Sequence, residues 1–211
     1  MSEGDQGARA RVASGPTGDR MANTFNTVLG YYATRVRKRL GWSGNLRGLE
    51  DIFNYVQLDD RVATSGQPTE QQLRLIKDAG YTTIINLAPK DHENALGNED
   101  ELLQELGVRY FHLPVVFTNP TREDFERFIK IFEACGDDPI WVHCAANMRV
   151  SAFFYKYRVE RLGWSESVAK VDMDKFGSPL KSWAYGKRSL RSGEARVSSH
   201  SIEVLTRKSN N

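Results

Sequence analysis

Between Asn23 and Leu40 the apolar residues Phe25, Val28, Leu29, Tyr32, Val36 and Leu40 fall on one stripe at helical spacing, which predicts an amphipathic helix. Arg35, Arg37, Lys38 and Arg39 crowd its C-terminal end, where cations suit the helix dipole. Gly41, Gly44 and Gly48 then mark a linker. From Leu49 onward the pattern alternates. Short strands are predicted over 52–58 and 61–64 around an Asp59-Asp60 turn, then at 82–87, 109–113 and 140–143. Helices are predicted between them: from Thr69 as N-cap to Ala79 and Gly80, from Glu99 to Leu106 and Gly107, and from Thr121 as N-cap to Cys135. A further helix runs from Arg149 to Leu162. Ser165 is expected to cap a shorter one ending near Gly177, and 179–190 reads as another.

Strands alternating with helices imply an α/β fold with a mainly parallel sheet flanked by helices. The organisation read from the pattern is a disordered 1–21, a basic amphipathic segment and linker over 22–48, a folded domain over 49–191 and a disordered tail over 192–211. In parallel sheets, sites lie at the C-terminal ends of strands. Ile140-Trp141-Val142-His143 ends at Cys144, followed by Ala145-Ala146-Asn147-Met148 and then Arg149. Strand, tight loop and helix N-terminus together form an anion site, where an arginine can grip two oxygens. A cysteine in that field is favoured as thiolate.

Composition adds limits. The chain has 211 residues and only two cysteines, Cys135 and Cys144, so a disulfide framework is not expected and a reducing cytoplasm is the expected compartment. No apolar run reaches the ~20 residues of a membrane span, and the first twenty residues lack an apolar signal core. Net charge is +2, but unevenly spread. Residues 50–179 carry 14 Lys/Arg against 22 Asp/Glu, while 22–49 carry five Lys/Arg and no acid. An acidic body with basic ends argues against a nucleic-acid partner. The basic N-terminal segment reads either as solvated or as a weak contact with an anionic surface.

His143-Cys144 and Arg149 resemble the His-Cys-x5-Arg-Ser/Thr signature of protein tyrosine and dual-specificity phosphatases. Together with Ala63-Thr64-Ser65-Gly66-Gln67-Pro68-Thr69, the stretch from Val142 to Ser151 resembles a bacterial phosphatase-like domain of unknown function, found alone or fused to beta-lactamase-like hydrolases. The resemblance implies a three-layer cysteine-phosphatase fold, a phosphorylated protein or small molecule as substrate, and neither metal nor cofactor. It also implies roles. Cys144 attacks phosphorus, Arg149 clamps the phosphoryl oxygens, His143 holds the loop and supports the thiolate, and Ser151 stabilises the thiolate as it leaves. Ala145, Ala146, Asn147 and Met148 line the phosphate with Arg149.

Three departures from that pattern stand out. The loop is one residue short, so Val150 occupies the usual arginine register while Ser151 keeps its own. Asn147 stands where a glycine is usual, and Asn is the next-best residue for left-handed backbone. No acid lies in 114–120, where the family's general acid belongs. Asp124 reads as a helix-capping residue. The loop Lys90-Asp91-His92-Glu93-Asn94, at the same sheet edge, offers Asp91 as the acid and Glu93 as the lesser choice. Two other readings follow from the short loop and missing acid. One is a rhodanese-like sulfurtransferase carrying a Cys144 persulfide, and the other is a catalytically silent oxyanion-binding module. His112 reads as a hydrogen-bonded core residue. Cys135 reads as a buried helix residue that, if close, would protect an oxidised Cys144 as a disulfide.

Overall fold

The structure, a computed structural model, describes residues 48–176 together with Thr27, Leu29 and Gly30. Those three N-terminal residues are helical, as the stripe over 23–40 predicts. The remainder of that stripe, the two expected disordered ends and the helix expected over 179–190 lie outside the described residues. Among the described residues no helix is long and apolar enough to cross a membrane.

Five strands form one sheet in the order β1-β2-β5-β3-β4: β1 (Val56–Gln57), β2 (Val62–Ser65), β3 (Thr83–Asn86), β4 (Arg109–His112) and β5 (Ile140–His143). All neighbours are parallel except β1, which pairs antiparallel with β2 through Val56 opposite Thr64. The first predicted strand is thus reduced to two residues. Leu49–Asp51 forms a single 3-10 turn, and Asn54 adopts a left-handed φ of 53° that ends any extension from Ile52.

Among the described residues from 48 on there are six α-helices: α1 (Glu70–Asp78), α2 (Glu99–Glu105), α3 (Arg122–Ala134), α4 (Met148–Glu160), α5 (Glu166–Ala169) and α6 (Val171–Lys175). Thr69 and Thr121 start α1 and α3 through complete capping boxes with Gln72 and Asp124. Helices α1 and α2 stop at Gly80 and Gly107, whose φ values of 95° and 68° suit glycine. The Ser165 side chain makes no capping bond, and the segment it opens breaks into two short helices rather than one.

The alternation along the strands builds two half-cores. Ala63, Ile84 and Trp141 face α1 and α2, packing with Leu73, Ile76, Leu102 and Leu103. Val62, Ile85, Ile140 and Val142 face α3 and α4, packing with Phe125, Phe128, Phe132, Phe153 and Phe154. The sheet is therefore covered on both faces, which is the three-layer arrangement read from the sequence. Trp141, fully buried, stacks on Tyr55 at 5.5 Å and meets the edge of Tyr81 at 5.1 Å. Emptying such a site costs about 3–5 kcal/mol.

Candidate active site

Strand β5 lies between β2 and β3, and its last residue, His143, stands level with Ser65 and Asn86. Cys144 therefore leaves the sheet from its middle strand, at the edge where the loops after β2, β3 and β4 also emerge. Cys144 N–H donates to Ser65 O at 3.3 Å, and Gln67 N–H donates to Ala145 O at 3.3 Å. Ala146 also pairs with Gly66 as an isolated antiparallel bridge. The cysteine loop and the Gly66-Gln67 turn form one wall. Gly66 has a steric reason to be glycine: a Cβ there would sit 3.1 Å from Ala145 O and 2.6 Å from the Phe53 ring.

The loop closes through Asn147. Its φ of 61° and ψ of 0° place it in the left-handed region, as its substitution for glycine predicts. It is fully buried. Its Nδ2 donates to Asn54 O at 2.7 Å and Thr64 Oγ1 at 2.9 Å. Asn54 answers by donating from its own Nδ2 to Ala146 O at 3.0 Å. Two left-handed asparagines 93 residues apart thus brace the four-residue loop against β2 and the turn before β1.

Helix α4 begins at Met148, so Arg149 falls in its first turn. Arg149 is 8% exposed, and its buried Nε has no hydrogen-bond partner among the described residues. The guanidinium lies 5.2 Å from the centroid of Phe117, so the loop without an acid supplies an aromatic wall instead. Ser151 Oγ donates to Met148 O at 3.1 Å. Ala145, Ala146 and Met148 are half-buried, while Cys144 is 1% exposed.

His143 is fully buried with its Nε2 2.8 Å from Glu99 Oε1. The contact is an ion pair whenever the His143 ring is protonated. Glu99 Oε1 also accepts from Gln67 Nε2 at 3.4 Å, and Oε2 accepts from Asn86 Nδ2 at 2.9 Å and Tyr110 OH at 3.4 Å. Burial pushes the Glu99 carboxyl up, but the interaction with His143 and the bonds from Gln67 and Asn86 outweigh it and hold it below the usual range. Burial and the nearby Glu99 charge push the Tyr110 hydroxyl far up.

The loop between β3 and α2 carries Asp91, which is exposed. It is tied to the site by its neighbour: His92 Nδ1 accepts from Asn94 N–H at 3.2 Å, so His92 Nε2–H donates to Gln67 Oε1 at 3.2 Å. Glu93 is exposed. Asp124 is committed to its capping box and to Arg127. His112 is half-buried, with Nε2 2.7 Å from Ala88 O. Cys135 follows α3 at the N-terminal end of β5 and Cys144 follows its C-terminal end, so about 13 Å of strand separates them. That span is beyond disulfide reach, which rules out the protective bridge. No group of three His, Cys, Asp or Glu among the described residues is placed to hold a metal ion.

Sequence reasoning missed four residues that shape this site: Glu99, Gln67, Asn54 and Phe117. Gln67 was visible only as part of the Gly66-Gln67-Pro68 motif. Glu99 looked like any acid in a helix's first turn. Asn54 and Phe117 gave no local signal.

A family model described as a DSP-PTPase phosphatase fused to NAD+ kinase matches residues 47–198. A DUF442 protein from Shewanella putrefaciens CN-32 superposes with a TM-score of 0.60 at 31% identity, covering 70% of this chain and 94% of its own. The P. aeruginosa TpbA structure in complex with phosphotyrosine superposes with a TM-score of 0.53 over 67% of this chain and 85% of its own; at 18% identity it supports the fold. The beta-lactamase hydrolase-like protein of Xylella fastidiosa is 33% identical over 97 residues, 44% of this chain and 22% of that protein. The chain thus spans about a fifth of that relative's length. With most of its folded length matched, the chain belongs to the family of DSP-PTPase phosphatases described as fused to NAD+ kinase.

Proposed function

We propose that the chain hydrolyses a phosphate monoester through a covalent intermediate on Cys144. The observation that carries this reading is Arg149. It is an always-charged side chain, buried in the first turn of the helix that follows the cysteine loop, with Nε unpaired. Among the described residues no acid pairs with it; a buried cation so placed is costly, and an oxyanion at the loop would pair with it. The Ala145 and Ala146 carbonyls turn onto Gln67 N–H and Asn54 Nδ2. That orientation favours amides facing the anion, supported by the positive end of α4.

The reaction runs in two displacements. The Cys144 thiolate attacks phosphorus, forming a P–S bond as the ester P–O bond breaks. Arg149 spans two phosphoryl oxygens and favours the loose transition state. Asp91, as its acid form, gives a proton to the departing oxygen, and its carboxylate then takes a proton from the attacking water. Water breaks the P–S bond and releases phosphate, and Ser151 turns its hydroxyl from Met148 O to the returning thiolate. His143 fixes the start of the loop.

The test pairs two assays on wild type and Cys144→Ser. Phosphate release from an aryl phosphate is expected and should fall by at least about 10³-fold in the variant. Release that survives the substitution removes Cys144 as nucleophile. Sulfur transfer from thiosulfate to cyanide, without phosphate release, replaces this reading with the sulfurtransferase one.

A further inference from the structure

Glu99 lies in none of the motifs that carry the chemistry, yet side chains from four sites in the sheet and its loops converge on it. Gln67 comes from the turn after β2, Asn86 from β3, Tyr110 from β4 and His143 from β5. Glu99 is 5% exposed. A buried carboxylate is costly at its position, since an apolar residue of similar size avoids the desolvation cost. Its partner, however, is the residue immediately before Cys144. Glu99 also lines a cavity of about 190 Å³ together with Asn86, Lys90, Asp100, Tyr110 and His112. The hydrogen-bond chain continues outward from Glu99 through Gln67 to His92, the neighbour of Asp91.

We propose that Glu99 is a positioning residue for the cysteine loop. It holds the His143 ring, and through it the residue from which the cysteine loop departs, in place. Gln67 ties the same carboxylate to the Asp91 loop. This explains why Gln67 stands beside the sterically required Gly66. Its Oε1 faces His92 and its Nε2 faces Glu99, a split that a glutamate or an apolar residue cannot reproduce. The consequence for turnover rests on Cys144 being the nucleophile, but the effect on the thiol itself does not.

Alkylation of Cys144 by iodoacetamide reads that effect without any turnover, with Cys135 as an internal reference in the same peptide digest. At near-neutral pH, Glu99→Gln is expected to slow Cys144 alkylation about 10–100-fold and leave Cys135 unchanged. In a His143→Gln background the same substitution should add less than about a twofold change, because it acts through that ring. If Glu99→Gln does not fold, Glu99→Asp keeps the charge but withdraws it by one methylene, and is expected to slow Cys144 in the same direction. Equal alkylation of wild type and a folded Glu99 variant overturns the proposal, as does a full further loss in the His143→Gln background. A slowed alkylation in a protein that releases no phosphate upholds the positioning role and refutes the phosphatase reading instead.

Discussion

Replacing Asn147 tests how the four-residue loop between Cys144 and Arg149 closes. Asn147 is fully buried at φ 61°, and its Nδ2 makes two bonds, to Asn54 O and Thr64 Oγ1. Alanine in left-handed backbone costs roughly 1–2 kcal/mol. Losing two buried hydrogen bonds costs about 1 kcal/mol each. Asn147 Oδ1 is itself buried without a partner, so removing it returns part of that sum. Asn147→Ala should therefore destabilise by about 3 kcal/mol. Asn147→Gly escapes the backbone strain but still loses both bonds, so it should cost about 2 kcal/mol. Urea unfolding gives both values directly, provided the m-value is unchanged. In thermal melts, about 1 kcal/mol between the variants corresponds to roughly 2–4 °C for a domain of this size. An alanine variant as stable as the glycine variant would refute the strained-backbone argument. Two variants both as stable as wild type would remove the asparagine brace altogether.

Other sites give independent checks. Gly66→Ala puts a Cβ against the Ala145 carbonyl and the Phe53 ring; aryl phosphate turnover should fall at least about tenfold, and full activity would mean the wall is looser than described. Phe117→Ala removes the ring against Arg149, a contact of about 0.5–2 kcal/mol; the inhibition constant for orthovanadate should rise about 2–30-fold, and no change takes Phe117 out of the site. Ser65 Oγ accepts from Trp141 Nε1 at 2.9 Å; Ser65→Ala leaves that indole N–H unpaired and should cost about 1–3 kcal/mol in urea unfolding, a neutral result arguing against the bond. Glu99 supplies the pH test. Its folded carboxyl is held below its unfolded value, so its stabilisation is present above the unfolded value of about 4.3 and is lost as pH falls through the folded one. Stability profiles of wild type and Glu99→Gln should converge as pH drops from 6 toward 3; parallel profiles would contradict an ionised Glu99.

The architecture was legible because it rests on short-range pattern. Thr69 and Thr121 announce their helices through residues three positions on, and both capping boxes form. Val142 and Trp141 alternate between two half-cores, and the continuous apolar run of β5 already indicated a strand buried on both faces. The left-handed Asn147 was also readable, because few residue types tolerate that backbone. What the chain did not reveal depends on long-range pairing. Asn54 sits inside an apolar stretch that reads as a strand, and only the contact with Asn147 explains its turn. Phe117 stands in a loop where an acid was sought, and its role depends on Arg149 lying beneath it. Glu99 was hidden by its place in a helix's first turn, where acids are common for reasons of capping alone. Its meaning comes from His143, 44 residues on in the chain and 2.8 Å away in space.

The central claim is that phosphate passes through Cys144. Mixing the protein with an aryl phosphate, quenching in acid within one turnover and mapping the peptides by mass spectrometry tests it directly. The account predicts one added phosphoryl group on the peptide carrying Cys144, absent from Cys144→Ser. Phosphate released with Cys144 unmodified, or a phosphoryl group found on any other residue, would contradict it.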